Sequence, residues 1–292
     1  MDFSDFLLMY YEWYNVETKH YKQNRGAGLY AVLNWALRSL SLLELKGDKV
    51  ESIELYLTEY ARELEVFNSL FEIKSFETNL SKLSESEKIE FINNTVSSNV
   101  GLSENPMNLN LNIFNKIISK YFNPKKEVVE WYNKFIEELG CDVKDIILVW
   151  ARRTDKVSES RIPTVSDYIS KLSKIDKANK VILIQTDDKE VVHEFRDKRL
   201  GFKTLSQIPF PNNKTKPFHV NLWSISDEEF KDMYGITKID HLRQMVALAL
   251  ISKNCYKTIL YPGNPTTFMP LFKGSFDDFI LYKDEINLFK KQ

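Results

Sequence analysis

Apolar positions along this chain follow two periods, and the switch between them marks its elements. Behind a glycine turn, NRGAG at 24–28, Leu29, Val32, Leu33, Ala36, Leu37, Leu40 and Leu43 recur at helical spacing, and Gly47 stands where that helix would end. ESIELYL at 51–57 then alternates, with Ile53, Leu55 and Leu57 on one side, which predicts a strand with one buried face. Loop, helix and strand in that order make an α/β unit. Residues 66–100 are polar and rich in Ser, Asn, Lys and Glu, and they predict only a short helix at SESEKIEFINN within an insertion or mobile connection.

From 109 the helical period returns. LNLNIFNKIISKYF ends at Asn123-Pro124, and Pro124 suits the first turn of KKEVVEWYNKFIEELG, which closes on Gly140. A regular alternation follows: DIILVW as a strand, SDYISKLSKI as an amphipathic helix, KVILIQTDD as a strand, KEVVHEFRDK as a helix. Two all-apolar strands separated by a helix predict a right-handed βαβ unit whose parallel strands are buried on both faces. Further on, VNLWSI reads as a strand, IDHLRQMVALALISKN as an apolar helix, and KTILY as a strand entering the turn PGNPTT, with FMPLFK helical after it. The tail, FDDFILYKDEINLFKKQ, predicts a closing helix. A domain boundary is expected at about 140–145, where a helix ends and the second set of strands begins.

Composition narrows the class. With 292 residues, 43% of them hydrophobic and 13% aromatic, the chain has apolar material for two packed domains. Lys plus Arg number 40 against 41 Asp plus Glu, so no overall field favours nucleic acid and any anion site must be local. Cys141 and Cys255 are too few for a disulfide framework or a zinc cluster, and they read as small buried residues in a reducing compartment. The opening MDFSDFLLMYYEWYN lacks the basic start of a signal sequence, and no apolar run of about 18 residues occurs; the expectation is a cytoplasmic protein without a transmembrane segment.

The charge that matters is clustered. Parallel sheets bind ligands beyond the carboxyl ends of their strands, and both RRTDK at 152–156 and TDD at 186–188 fall at such ends. Arg152 and Arg153 offer guanidinium forks suited to bidentate grip on phosphate; the alternative is that they pair only with Asp155, Glu159 or the carboxylates at 187 and 188. Thr186-Asp187-Asp188 has the look of a metal-binding acidic motif, but Asp188 before KEVVHEF is also a helix N-cap, and the cap together with an electrostatic brace for the arginines is the favoured reading. His20, His193, His219 and His241 have no zinc-like spacing and read as structural. PFPNNKTKPFH at 209–219 is a Pro-rich connection or an acceptor lip, and the aromatics of MYYEWYN at 9–15 belong to a core strand or a sugar platform.

ARRTDKV, followed closely by a glutamate, resembles the Arg-Arg-Thr-Asp-Lys-Val signature of the core α1,6-fucosyltransferases, relatives of the nodulation and protein O-fucosyltransferases. VILIQTDDKEVVHEF is similar to that family's strand ending in Thr-Asp-Asp and its following helix, at matching order and spacing. HLRQMVALALISKNCYKTILYPGNPTT is a weaker match to the helix, strand and turn completing the donor pocket, and Gly26-Ala27-Gly28 resembles a Gly-x-Gly loop of the N-terminal domain. The similarity covers about residues 145–270.

The resemblance implies an α/β GT-B fold: Rossmann-like domains at 1–143 and 144–292 facing across a cleft, GDP-fucose held mainly by the second, the C-terminal helix packing back, and no metal or other cofactor required. It implies inverting transfer to a glycan acceptor, with Arg152 on the donor β-phosphate, Arg153 beside it, and Lys156 near the acceptor. Fixed positive charge there stabilises the departing diphosphate. The family's base, a glutamate, falls at Ser160, which leaves Glu159 and Asp155 as the carboxylates able to take the acceptor proton. Gly26, Gly28, Asp187, Asp188, Asn264, Thr266 and Thr267 complete the implied donor site. Trp150 stands in place of a histidine that touches the nucleotide, and Leu248 in place of an aspartate that reads guanine, with Asp240 as the nearest upstream carboxylate. Those departures keep open another nucleotide sugar, or a binding protein without catalysis.

Overall fold

The computed structural model of the chain describes residues 13–25, 28–57, 64–96, 110–151, 163–209, 225–260 and 263–281. The chain divides into two compact units, Met1–Lys126 and Glu127–Gln292. It is a mixed α/β protein, and among the described residues no helix is long and apolar enough to cross a membrane.

In the first unit, β1 (Tyr14–Asn15), β2 (His20–Arg25), β3 (Ser52–Leu57) and β4 (Leu64–Glu65) form a sheet in the order β1-β2-β3-β4. β2 and β3 are parallel, with Tyr21 opposite Ile53 and Gln23 opposite Leu55, and helix α1 (Leu29–Lys46) joins them. As its spacing predicts, α1 stops at Gly47, whose φ of 96° admits the left-handed turn that lets its N–H reach the Leu43 and Glu44 carbonyls. β2 was not foreseen. Its buried face carries Tyr21 and Gln23, while Lys22 and Asn24 point outward, so HYKQNR shows none of the apolar alternation that exposes β3.

The stretch after β4 is packed rather than a mere connection. α2 (Phe67–Leu70) and β5 (Phe71–Glu72) place Phe67, Leu70 and Phe71 in the core, where Phe67 and Phe71 meet Phe122 edge-on at 5.9 and 5.4 Å. α3 (Glu85–Val96) and α4 (Leu111–Tyr121) follow, and α4 brings Lys120 and Tyr121 to Glu44 of α1. Glu44 thus accepts from Lys120 at 2.5 Å and from the hydroxyls of Tyr121 and Thr78, a buried carboxylate with both oxygens hydrogen-bonded. Pro124 belongs to β6 (Asn123–Pro124), opposite Phe71, rather than to the first turn of the next helix.

That helix, α5 (Lys126–Leu139), is associated with the second unit: the Leu139 carbonyl accepts from Lys203 Nζ, and Glu138 accepts from the Ser206 N–H at 2.6 Å. The unit boundary therefore falls at the start of α5. Sheet and helices then alternate: β7 (Ile146–Ala151), α6 (Val165–Leu172), β8 (Val181–Thr186), α7 (Lys189–Asp197), α8 (Asp227–Tyr234), α9 (Lys238–Asn254), β9 (Lys257–Leu260), α10 (Asn264–Lys273) and β10 (Phe279–Leu281). The strands lie in the order β10-β9-β7-β8, all parallel. Every residue of β7 is buried. Ile147, Val149, Ile182 and Ile184 pack under α6 and α7, while Ser252 of α9 meets Thr258 on the other face of the sheet.

The tail differs from its expected helix where it is described: Phe279–Leu281 is the edge strand β10, beside β9. Pairing with β9, plus burial of Phe279, outweighs the weak helical period there. Residues 282–292 lie outside the described set, as does most of VNLWSI.

Candidate ligand site at the carboxyl edge of the second sheet

Lys203 extends the sheet by one bridge, parallel to Leu183: its N–H donates to the Ile182 carbonyl at 2.8 Å and its carbonyl accepts from the Ile184 N–H at 2.9 Å. Counting that position, the strands run Lys203, β8, β7, β9, β10 across the sheet, which in chain order is 3-2-1-4-5. This is a doubly wound order, and its connections reverse direction between β7 and β9. The helices that follow those two strands lie on opposite faces of the sheet, α6 beside Ile147 and Val149 and α10 against α9, and sheets of this kind hold ligands beyond the carboxyl ends at such a reversal.

The segment leaving β7 is ARRTDKVSES. Ala151 is its last described residue, opposite Thr186 of β8. Arg152, Arg153, Asp155, Lys156, Glu159 and Ser160 lie outside the described residues, as do Gly26 and the loop at 210–219. What is placed is the origin of the arginine pair, at the end of the central strand and on the flank of the switch point.

TDD has an evident structural use. The Asp188 N–H donates to Thr186 Oγ1 at 3.1 Å, and the Asp188 carboxylate accepts from the Glu190 N–H at 2.9 Å as the N-cap of α7. Asp187 follows β8, so it stands on the side of β7 away from the switch point. Beyond β9, the residues expected in a turn are helical: Asn264, Thr266 and Thr267 form the first turn of α10 behind Gly263. Thr266 and Thr267 are buried, and the Thr266 hydroxyl donates to the Gly263 carbonyl, so that side chain serves the helix start. Pro265 favours that start because its missing N–H is one the helix would leave unpaired. Gly28 is the N-cap of α1 in the first unit, between β2 and the helix, and as a glycine it makes no side-chain cap hydrogen bond.

Three other positions are resolved. Leu248 is wholly buried in α9. Asp240 accepts from the Thr237 hydroxyl at 2.9 Å and pairs with Arg243 at 3.0 Å, a cap and brace at the start of α9. His241 is buried, and desolvation pulls its pKa down to about 3. His20 lies beside Ser52 and Glu54 on the first sheet, and His193 is on the exposed side of α7. Among the described residues, no group of three His, Cys, Asp or Glu side chains is arranged to hold a metal ion.

Two carboxamides went unremarked in the sequence. Gln185 sits opposite Trp150 near the end of β8, nearly buried, and Gln244 is completely buried in α9. The available signal was a glutamine inside an apolar strand and another within an otherwise apolar helix stripe. In comparisons with known proteins, the chain matches no family model and no curated protein.

Proposed function

We propose that the protein is a glycosyltransferase of the GT-B class that inverts configuration without a metal, with GDP-fucose as donor and a glycan as acceptor. The observation that carries this reading is the switch point between β7 and β9, with an arginine pair leaving the end of β7. A doubly wound parallel sheet takes ligands at that place, and the guanidinium pair that follows β7 directly in the sequence has the charge and fork geometry for a diphosphate. In the proposed reaction Arg152 and Arg153 stabilise the charge developing on the leaving nucleoside diphosphate. Asp155 or Glu159 takes the proton of the attacking hydroxyl as the new glycosidic bond forms, and Lys156 orients the acceptor. The buried Leu248 and the capping role of Asp240 favour a second reading in which the same chemistry uses a different nucleotide sugar.

A panel of GDP, UDP, dTDP, ADP and CMP tests the reading. The nucleotide of the true donor, at about 100 times its dissociation constant, stabilises the fold by roughly 2.7 kcal/mol, and Arg152→Ala abolishes that gain. Turnover of the matching nucleotide sugar then separates an enzyme from a binding protein. Absence of stabilisation by any member of the panel sinks the proposal.

A further inference from the structure

α9 crosses the sheet face opposite α6 and α7. Ser252 Oγ lies 3.2 Å from Thr258 Oγ1 of β9, and Leu248 and Gln244 stand about one and two turns earlier on the same side of the helix. Gln244 is thus about 12 Å from Ser252 along the helix axis, the rise of about three to four strand residues. Because α9 leads into β9 through a short turn, it runs against the strands. The displacement carries Gln244 from the level of Thr258, Leu148 and Leu183 to one or two residues past the level of Trp150 and Gln185, at the carboxyl edge. Its partner agrees with that placement: Gln244 Nε2 donates at 2.9 Å to the Gln207 carbonyl, just past the Lys203 bridge.

Gln244 has no solvent-exposed surface, and among the described residues its Oε1 accepts no hydrogen bond. Buried amide oxygens are nearly always paired, since an unpaired one forfeits its hydration without return. With Nε2 committed to Gln207, the vacant function is that of an acceptor, and what fits it is an N–H donor. Trp150 and Gln185, neighbours across β7 and β8, share this face of the sheet and are nearly buried. An aromatic wall and a carboxamide oxygen at a ligand-binding edge match a flat heterocycle bearing N–H groups.

Resting on the nucleotide-sugar reading above, we infer that Gln244 is the base-specificity residue, its Oε1 accepting from the pairing edge of the donor nucleobase. Guanine fits best, because its adjacent imino and amino N–H groups supply two donors for the two lone pairs of one carbonyl oxygen. The turn at 205–208, held to α5 by Glu138 and to α9 by Gln244 itself, shifts to admit the base.

Equilibrium binding of GDP, UDP, ADP and inorganic diphosphate to the full chain, wild type and Gln244→Leu, tests this. The expected result is a loss of GDP affinity by about tenfold or more, as for sites built to meet a polar edge, with diphosphate affinity unchanged. Gln244→Met, closer in volume, repeats the loss. Unchanged GDP affinity overturns the inference, and so does an equal fall for GDP and diphosphate, which marks a structural role. Wild-type protein that binds diphosphate without preference among bases overturns the inference while leaving the anion site standing. Binding of no nucleotide and no diphosphate overturns the proposed function as well.

Discussion

β2 and β7 each open a parallel strand, helix, strand sequence, yet they are built from opposite materials. All six residues of β7 are buried, and its sheet is covered on both faces. The sheet of β2 has one open face, where Glu54 gathers Lys22 at 3.4 Å, His20 at 3.8 Å and the Tyr56 hydroxyl at 3.0 Å. The contrast extends to buried polar groups. Glu44 of the first unit lies under α4 with three donors around its carboxylate; Gln244 of the second keeps an acceptor unmet among the described residues, as Gln23 Nε2 on β2 keeps a donor, but Gln244 does so beside the switch point of a doubly wound sheet. A satisfied buried polar cluster specifies packing, and an unsatisfied one at a ligand edge points outward to chemistry.

Removing one member of the satisfied cluster is the strongest way to break that contrast. Lys120→Ala leaves Glu44 buried with one donor fewer, and an expected loss of about 3–5 kcal/mol is read from urea denaturation. Combining Lys120→Met with Glu44→Leu restores most of it, since apolar replacement of both partners removes the charge rather than stranding it. A single substitution with no effect would show that the cluster is not buried in solution.

In the second unit the sensitive group is His241, kept neutral by burial. Its folded pKa, near 3, lies below the unfolded value of about 6.5. Between these values the unfolded chain alone takes up the proton, so stability falls as pH drops below about 6.5, by at most about 1.4 kcal/mol per pH unit. His241→Phe flattens that acid limb in a series of thermal melts from pH 7 to pH 4.5; a wild-type limb identical to the variant's would contradict the assignment.

The open face of the first sheet should matter least. Lys22→Ala removes an ion pair with a partner one-third exposed and a cation over Tyr56, and the expected change is under about 1 kcal/mol and fades in high salt. A larger change in denaturation midpoint would mean that the face is covered.

Legibility of the fold followed contrast between apolar and polar positions. β7, β8, α6 and α7 are readable because continuous apolar runs alternate with amphipathic segments, and Asp188 and Gly140 stand at the boundaries expected of caps. β2 was hidden because its buried face uses a tyrosine and a glutamine, and β10 because three residues cannot show a period. The first turn of α10 carries the turn signal of PGNPTT because Pro and Asn weigh toward turns, although Pro is also at home at a helix start. The arginine pair is legible as chemistry, while for Gln244 the sequence shows only a glutamine within a helix period, since the chain's order does not reveal that its Nε2 finds the Gln207 carbonyl and its Oε1 does not find a donor among the described residues.

The sequence alone determined α1, β3 and the strand and helix succession of the second unit through α7, and where charge is concentrated, because hydrophobic period and capping chemistry are local and act before any long-range contact. Only the tertiary structure decided the order of the strands, and with it the switch point between β7 and β9 rather than between β7 and β8. That choice depends on which strands pair across more than a hundred residues, and pairing is governed by burial shared among β7, β9 and α9 that no single segment encodes.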